Sequence, residues 1–292
     1  MATRWAINMV VTRRSIANVK PQASNYAASA LFVQSVEKAM KVIMAFDGSK
    51  RQLALLEIAA LTGLDNSAAQ RFTYTLSALG YLVKDPATRK YELAVRVLDF
   101  TYHYLASSEL AHRAALVLQK LARDTEEVCN LTVPDGTDIV FVLRIVSRNV
   151  LVPNVIVGSR LPSYCTAPGL AILSTWPSQE VDEVLAKSEL VKHMPSTVAD
   201  PRRIKARLAR IRTAGYARTE DELFPDDISI AAPVLDASGR AIGALNIAVS
   251  RPRWNAERDE EQYAGLLRAA ATAISAPQLP RSRAAIVRAV AR

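Results

Sequence analysis

Residues 53–93 contain two short helical patterns that meet at a glycine turn and are followed by a small basic hairpin. In the first pattern, apolar residues recur at helical spacing from Leu55 until Gly63 interrupts the series. Asp65 or Asn66 can then cap a second helix through its side chain. This order of elements is typical of a winged helix-turn-helix, a fold whose second helix can enter the major groove of DNA.

The second helix is predicted to present one apolar face and one polar face. Glutamine and arginine can each make two hydrogen bonds to a base edge, while serine and tyrosine hydroxyls can reach phosphates. The predicted core face consists of Ala69, Phe72, Leu76 and Leu79. The residues predicted to contact DNA from the opposite face are Ser67, Gln70, Arg71 and Tyr74.

A basic hairpin is predicted after Gly80. Paired strands over 81–83 and 91–93 would flank a turn at 85–88. The cations of this hairpin would lie beside DNA phosphates, and they are Lys84, Arg89 and Lys90. The alternative interpretation is an ordinary two-helix corner with a solvated hairpin.

A helix predicted over Ser35–Phe46 supplies the third stripe of a three-helix core. That stripe consists of Val36, Ala39, Met40, Ile43 and Met44. After the hairpin, residues 94–106 keep an apolar and aromatic pattern at helical spacing, which predicts a connecting helix. Its aromatic surplus suits either a partner helix in a dimer or packing against a second domain.

Charge is divided unevenly along the 292 residues, whose formal net charge is +9. Residues 1–106 hold 13 Lys and Arg against 7 Asp and Glu, residues 107–276 hold 20 against 21, and residues 277–292 hold 4 against none. A chain of this length, half of it hydrophobic, can bury two cores. A basic first domain suits phosphate binding, and a neutral second domain suits small-molecule binding.

Residue types that could serve an enzyme or a metal site are not arranged as those functions require. Cys129 and Cys165 lack CxxC spacing, and His103, His112 and His193 are scattered, so no catalytic residue, cofactor or metal site is expected. No apolar run approaches the roughly 18 residues of a membrane span. We therefore expect a cytoplasmic protein without membrane contact.

The second part of the chain alternates helical and strand patterns. Turns at 134–136 and 236–239 join neighbouring strands, which favours an antiparallel sheet with helices packed on it and an α+β fold class. The acidic run 220–227 is predicted to be a hydrated loop. Helices are predicted near 109–127, 168–175, 178–186, 201–214 and 256–275, and strands near 128–133, 138–146, 150–155, 228–236 and 240–249.

Several segments resemble the IclR family of bacterial transcriptional regulators. The run SVEKAMKVIMAFDG, LALLEIAALTGLDNSAAQRFTYTLSALGYLVKD and KYELAVRVLDF is similar to the family's DNA-binding domain. VGSRLPSYCTAPGLAILS at 157–174 and GYARTEDELFPDDISIAAPVLDASGRAIGALNIAVS at 215–250 are similar to its effector-binding domain. The resemblance covers about residues 33–275.

The resemblance implies a domain order. A winged helix-turn-helix over 33–93 would be followed by a linker helix over 94–107 and a GAF/PAS-like effector-binding domain over 108–276. The N-terminal extension 1–32 and the basic tail 277–292 lie outside the family pattern. A homodimer, or a homotetramer, would read a palindromic operator, because two half-sites multiply the contacts of one recognition helix.

The resemblance also implies a small organic acid between the sheet and the loop 157–169, which would act as a lid. SIAAPV and LPSYCTAPG are similar to the branch that senses protocatechuate or 4-hydroxybenzoate, so an aromatic acid is expected. A helix N-terminus near Thr166 would offer N–H groups to the carboxylate. Ile228-Ser229 stands where the family commonly has Arg-Cys. The matching effector positions are Leu151, Asn154, Ala167, Pro168, Gly169, Thr219, Glu222, Ser229, Asn246 and Ala248.

The expected function is a ligand-responsive transcriptional regulator whose effector changes the separation of two recognition helices. Two other classes stay open at this point. A small-molecule enzyme would turn its ligand over, whereas a ligand-independent DNA-binding assembly protein would bind no small molecule in its second domain.

Overall fold

The computed structural model describes residues 28–48, 50–148 and 155–276. The chain divides between Ser107 and Ser108 into two compact units, here called the N-terminal unit and the C-terminal unit. Each unit has its own buried apolar residues. Within the described ranges, no helix is long and apolar enough to cross a membrane.

The described part of the N-terminal unit begins with three helices packed around a small core, which includes Val42, Ile58, Leu76 and Leu82. A two-stranded antiparallel sheet follows, and Leu53 extends it through a backbone bridge to the second strand. The elements are α1 (Gln34–Met44), α2 (Leu55–Thr62), α3 (Asn66–Ala78), β1 (Leu82–Lys84) and β2 (Tyr91–Leu93).

Local bonds set the turn between α2 and α3. Gly63 ends α2 with a φ of 69°, a left-handed conformation that suits glycine. Asp65 caps α3, because its carboxylate accepts a hydrogen bond of 2.8 Å from the Ala68 N–H. The predicted turn and the first of the two predicted caps are therefore confirmed.

The predicted core stripe of α1 is partly wrong. Val36 and Met40 are exposed, and Met44 is 36% exposed, whereas Val42 and the following Ala45 are buried. The apolar residues of this helix form one broad arc on its surface, and only one edge of that arc, at Val42 and Ala45, is buried in the core. Packing makes that choice.

The predicted core face of α3 is wrong at its end. Leu79, the C-cap residue, keeps a helical backbone conformation but is 52% exposed, because the buried side of the helix is centred on Ala69, Thr73 and Leu76. Thr73 is fully buried instead, and its hydroxyl donates to the Ala69 carbonyl oxygen at 2.9 Å. A polar residue is accepted in this core because its hydrogen bond is satisfied within the helix.

The connecting segment starts with a 3₁₀ turn, Val95–Val97, and continues as α4 (Leu98–Ser107). A helix was predicted here, and a helix is found. None of its residues is buried, and the side chains of Leu98 and Tyr102 are 60% and 68% exposed. Its apolar stripe therefore lies on the surface of the described chain.

A six-stranded antiparallel sheet forms the centre of the described C-terminal unit, in the order β5-β4-β3-β8-β7-β6. The pairing of β3 with β8 joins the first hairpin of the unit to the last. In chain order the elements are α5 (Glu109–Thr125), β3 (Val128–Asp135), β4 (Asp138–Ile145), β5 (Arg160–Pro162), α6 (Ala167–Thr175), α7 (Ser178–Lys187), α8 (Pro201–Ala214), β6 (Ala217–Glu220), β7 (Asp227–Leu235), β8 (Ala241–Ser250) and α9 (Asp259–Ile274).

The predicted α+β class and antiparallel pairing are confirmed, but the prediction missed β5 and β6, the two edge strands. Each is only three or four residues long, too short for an alternating pattern to be recognised. The acidic run 220–227 is not only a loop, because its last residue, Asp227, begins β7. Of the predicted strand near 150–155, residues 150–154 lie outside the described residues, and Val155 belongs to no strand.

The predicted lid, residues 157–169, is largely packed structure. β5 pairs with β4, the 3₁₀ turn Ser163–Cys165 follows, and every residue from 161 to 174 is buried. Gly169 shows how tight this packing is: a Cβ atom there would lie 2.2 Å from the Ser163 carbonyl oxygen. Residues 160–166 therefore connect the sheet edge to α6 as packed structure.

Candidate functional site

The outer face of α3 is polar and open. Residues at positions i, i+3, i+4 and i+7 of a helix share one side, and the buried residues of α3 lie on the other. The exposed residues on this face are Ser67, Gln70, Arg71 and Tyr74. All four predicted DNA contacts of the helix are therefore presented together.

The hairpin after α3 has a defined tip. The Asp85 carboxylate accepts hydrogen bonds from the backbone N–H groups of Thr88, at 3.0 Å, and Ala87, at 2.8 Å. These bonds lower the pKa of Asp85, because they stabilise its charged form. The tip is thus held by the side chain that precedes it.

The cations of the hairpin lie on the surface. Arg89 and Lys90 are exposed, and Arg89 takes a left-handed φ of 60° at the end of the turn. The Lys84 ammonium lies 5.1 Å from the centre of the Tyr91 ring, a cation–π contact that limits where it points. All three predicted phosphate-facing residues are accessible to a partner.

A second candidate site is a cavity in the C-terminal unit, between the sheet and the start of α6. Its empty volume, including open space at its mouth, is about 630 Å³. Its lining residues are Val128, Asn130, Ile139, Phe141, Arg144, Val155, Leu161, Cys165, Thr166, Ala167, Pro168, Thr219, Leu223, Phe224, Asp227, Ser229, Asn246 and Ala248.

Four polar side chains from neighbouring strands cross the wall of this cavity as a hydrogen-bonded row. Arg144 Nη1 donates to Asn130 Oδ1 at 3.0 Å, and Asn130 Nδ2 donates to Asn246 Oδ1 at 3.2 Å. Asn246 Nδ2 then donates to Ser229 Oγ at 3.1 Å. We call Arg144, Asn130, Asn246 and Ser229 the polar row; its bonds offset the cost of placing amide groups in a nearly dry interior.

Arg144 and Asp227 are the charged side chains among the described lining residues. Loss of water raises the pKa of Asp227 to about 7, the charge of Asp221 adds to the rise, and the charge of Arg144 opposes it. Loss of water also lowers the pKa of Arg144, with Asp227 acting in the opposite direction. The cavity therefore contains a cation and a carboxyl whose charges influence each other.

Six of the ten predicted effector positions line the cavity: Ala167, Pro168, Thr219, Ser229, Asn246 and Ala248. Leu151 and Asn154 lie outside the described residues.

Gly169 and Glu222 lie outside the cavity lining. Gly169 is needed for its contact with the Ser163 backbone. Glu222 is buried in an ion pair with Arg207, with 2.5 Å between Oε1 and Nη1. Burial raises its pKa and the charge of Arg207 opposes the rise. The side chain thus serves a structural ion pair.

Asn130, Arg144 and Asp227 were missed by the sequence analysis. Asn130 and Arg144 are polar residues within otherwise apolar strand patterns, VCNLTV and DIVFVLRI, and that interruption is the available signal. Their convergence depends on pairing across the sheet, where Asn130 stands opposite both Arg144 and Asn246.

Metal binding has no support in the part of the chain that the structure describes, where no group of three or more His, Cys, Asp or Glu side chains converges as metal ligands would. The side chains that line the cavity can contribute hydrogen bonds, charge and apolar contact.

Two family profiles match the chain, one in each part. The profile described as the IclR helix-turn-helix domain matches residues 35–86. The profile described as the bacterial transcriptional regulator IclR C-terminal domain matches residues 102–276. Together they include the outer face of α3 and every residue that lines the cavity.

Individual relatives agree with the profiles. The chain is 31% identical to the Pca regulon regulatory protein of Pseudomonas putida over 82% of both chains. It is 29% identical to the p-hydroxybenzoate hydroxylase transcriptional activator of Acinetobacter baylyi, over 85% of this chain and 93% of that one. A crystal structure of a transcriptional regulator from Rhodococcus sp. RHA1 has 33% identity and a TM-score of 0.74, covering 83% of this chain and 97% of that chain. These names describe regulators of transcription, not enzymes.

Proposed function

The chain belongs to the IclR family of bacterial transcriptional regulators, and on that premise we propose that two copies bind a palindromic operator while a small aromatic acid in the C-terminal cavity controls the fit. As members of this family do, it binds operator DNA and a small-molecule effector. We further propose which residues contact the DNA, that the effector is an aromatic acid, and that the protein binds DNA as a dimer. The protein would act in the cytoplasm, where a bacterial chromosome lies.

DNA recognition is assigned to α3 and the hairpin. Gln70 and Arg71 lie on the open face of the helix with side chains able to make two hydrogen bonds to one base. Ser67 and Tyr74 flank them and are assigned to the phosphate backbone. Their shared exposure on one helix face is the observation that supports this part.

A dimer is supported by the apolar surface of the N-terminal unit. On α1, Val36 is 59% exposed and Met40 is 44% exposed, and on α4 Phe100 and Tyr104 are 53% and 52% exposed. In each helix the two side chains are four residues apart and share one face, and apolar faces of this kind mark contact surfaces in soluble proteins. We assign them to a second copy of the chain, which would place two recognition helices on two half-sites. Pairing of two dimers into a tetramer would use other surfaces.

An aromatic acid is the effector class that suits the cavity. Apolar side chains supply most of the wall, including the Phe141 and Phe224 rings, and the polar row supplies directional hydrogen bonds. The Acinetobacter relative is named for an enzyme that acts on p-hydroxybenzoate. A ring with a carboxylate is a small ligand that uses both kinds of surface.

A route from effector to DNA is proposed through α4. Arg96, in the 3₁₀ turn just before α4, donates to the carbonyl oxygen of Leu79, the C-cap residue of α3, at 3.0 Å. The rings of Tyr81 and Phe100 stack with centroids 5.5 Å apart. These contacts tie α4 to the end of the recognition helix, and α5 of the C-terminal unit begins directly after it. A shift of α4 would therefore move α3.

Fluorescence anisotropy of labelled DNA from upstream of the protein's own gene tests the proposal. At fixed salt, we expect binding tighter than to random DNA, and one acid from a panel of aromatic and short-chain carboxylic acids should change the operator affinity. The same acid must then bind the DNA complex and the free protein with affinities that differ by the same factor. Equal effector affinity with and without operator would contradict the coupling, and turnover of the acid would support an enzyme instead.

A further inference from the structure

The cavity contains two features able to bind the carboxylate of an acid, and they differ in strength. The first is the N-terminus of α6, where Thr166 makes no capping bond with its side chain. The helix dipole there is equivalent to about half a charge. Pro168 stands in the first turn and has no N–H to donate. This helix end is therefore a weak anion site.

The second feature is Arg144, which brings a full positive charge into the wall. A guanidinium presents N–H donors in a planar fork that matches the two oxygens of a carboxylate. Asn130 accepts one of these N–H groups at 3.0 Å, and Asn130 is itself held by Asn246. The polar row thereby orients the guanidinium before any ligand arrives, which reduces the entropy lost on binding.

The surroundings strengthen the interaction of Arg144 with an anion. The cavity lining includes apolar side chains such as Phe141 and Val128, and Arg144 is itself half-buried; charges interact more strongly beside apolar surface than in open water. The nearby carboxyl of Asp227 has a pKa of about 7 because of its own burial. Around neutral pH it is protonated in a substantial fraction of molecules, which limits its repulsion of a bound carboxylate.

We propose that Arg144 binds the carboxylate of the effector and determines that the cavity selects an acid over a neutral molecule of the same shape. This inference rests on the proposed function, because it names the residue that recognises the acid in that cavity. It replaces the α6 N-terminus as the main carboxylate site.

Isothermal titration of the full-length protein with 4-hydroxybenzoate and with 4-hydroxybenzamide tests this assignment, since the two probes share a ring and a hydroxyl and differ in charge. The wild-type protein should bind the acid at least about tenfold more tightly than the amide. Arg144→Gln should lower the affinity for the acid by about tenfold to a hundredfold and change the affinity for the amide by less than about threefold. Arg144→Lys, which keeps the charge without the fork, should fall between them.

Arg123→Gln is the matched control, because it removes the same charge from an exposed position on α5. It should bind both probes as the wild type does. An unchanged preference for the acid in Arg144→Gln, or an equal loss of both probes, would overturn the assignment while leaving an acid-responsive regulator intact. Failure of the wild-type protein to bind any acid of the wider panel would overturn the proposed effector class and, with it, this assignment.

Discussion

The two units place their candidate binding residues in opposite environments. In the N-terminal unit, the residues assigned to DNA are exposed and occur within one helix and one hairpin. In the C-terminal unit, the lining residues come from all six strands of the sheet, from the start of α6 and from segments between these elements, and most of them are buried. A residue of an exposed site can be replaced without disturbing the others, whereas replacing a buried lining residue also disturbs the packing that forms the cavity.

A substitution at Gly169 should therefore have the largest effect on the stability of the C-terminal unit, because this residue is closely packed. Gly169→Ala places a Cβ atom 2.2 Å from the Ser163 carbonyl oxygen, so the backbone of α6 or of the preceding turn must move. We expect a loss of about 3 kcal/mol or more in the free energy of unfolding. Urea unfolding followed by tryptophan fluorescence measures it, in a Trp5→Phe background where Trp176 and Trp254 report on this unit.

Gly265→Ala is the matched control in the same unit. Gly265 lies within α9, and a Cβ atom there would meet nothing within 4 Å. Alanine favours helix over glycine, so we expect unchanged stability or a gain of about 0.5–1 kcal/mol. Similar urea midpoints for the two variants would contradict the idea that α6 is fixed by close backbone packing.

Acidity should act with one sign on Glu57 and Asp85 of the N-terminal unit and with the opposite sign on Asp227 of the C-terminal unit. In the N-terminal unit, backbone hydrogen bonds lower the pKa values of Glu57 and Asp85, so these groups stabilise the fold above their unfolded pKa and lose that contribution as the pH falls. In the C-terminal unit, Asp227 has a pKa raised from 3.8 to about 7. Its contribution is complete below about pH 4 and is lost as the pH rises toward 7 and beyond.

Asp227→Asn should remove that dependence. Between pH 5 and pH 8, the free energy of unfolding of the wild-type C-terminal unit should fall by on the order of 2 kcal/mol relative to that of the variant. The comparison uses the same Trp5→Phe background and urea midpoints at both pH values. The groups whose charges act on Asp227 are Arg144 on β4 and Asp221 in the loop before β7, and Asp221 is paired with Arg251. Parallel pH profiles for the two proteins would show that Asp227 ionises normally.

Single contacts on the DNA-facing surface should affect DNA binding, because these side chains are exposed. Arg71→Ala should weaken operator binding by about 1–3 kcal/mol and have less effect on random DNA, because it removes a base contact. Lys90→Ala should weaken both kinds of DNA alike and reduce the salt dependence of binding by about one unit of slope. Anisotropy titrations at several salt concentrations separate the two.

Lys41→Ala serves as the control for these variants, since Lys41 is an exposed cation on α1 paired with Glu37. It should leave operator affinity and salt slope near their wild-type values. If Arg71→Ala lost the same amount of affinity for operator and for random DNA, Arg71 would contact a phosphate and not a base. Effector binding should be unchanged in all three variants.

Some assignments could be predicted because their causes are local. The turn at Gly63, the cap at Asp65 and the open polar face of α3 all depend on residues within about two helical turns of one another. The same reasoning failed for α1, where only one edge of a broad apolar arc is buried. It also failed at Leu79, which continues the apolar spacing of α3 but lies beside the buried side of the helix.

The cavity shows where such prediction ends. Ala167, Ser229 and Asn246 were expected there from family resemblance, and they do line it. Arg144 and Asp227 were not expected, since one interrupts an apolar strand and the other ends an acidic run that was predicted to be hydrated. A run of acidic residues gives no indication of which carboxylate will be drawn into the wall of a cavity.

The sequence by itself determined the order of the longer elements, the α+β class and the polar face of the recognition helix, because periodicity, caps and turns act over a few residues. Only the tertiary structure decided which polar groups share the cavity. Asn130 and Asn246 are 116 positions apart in the chain, yet their amides are hydrogen-bonded because β3 and β8 pair in one register. Strand register is set by the burial of whole sheet faces, so the contacts it creates cannot be read from either strand alone.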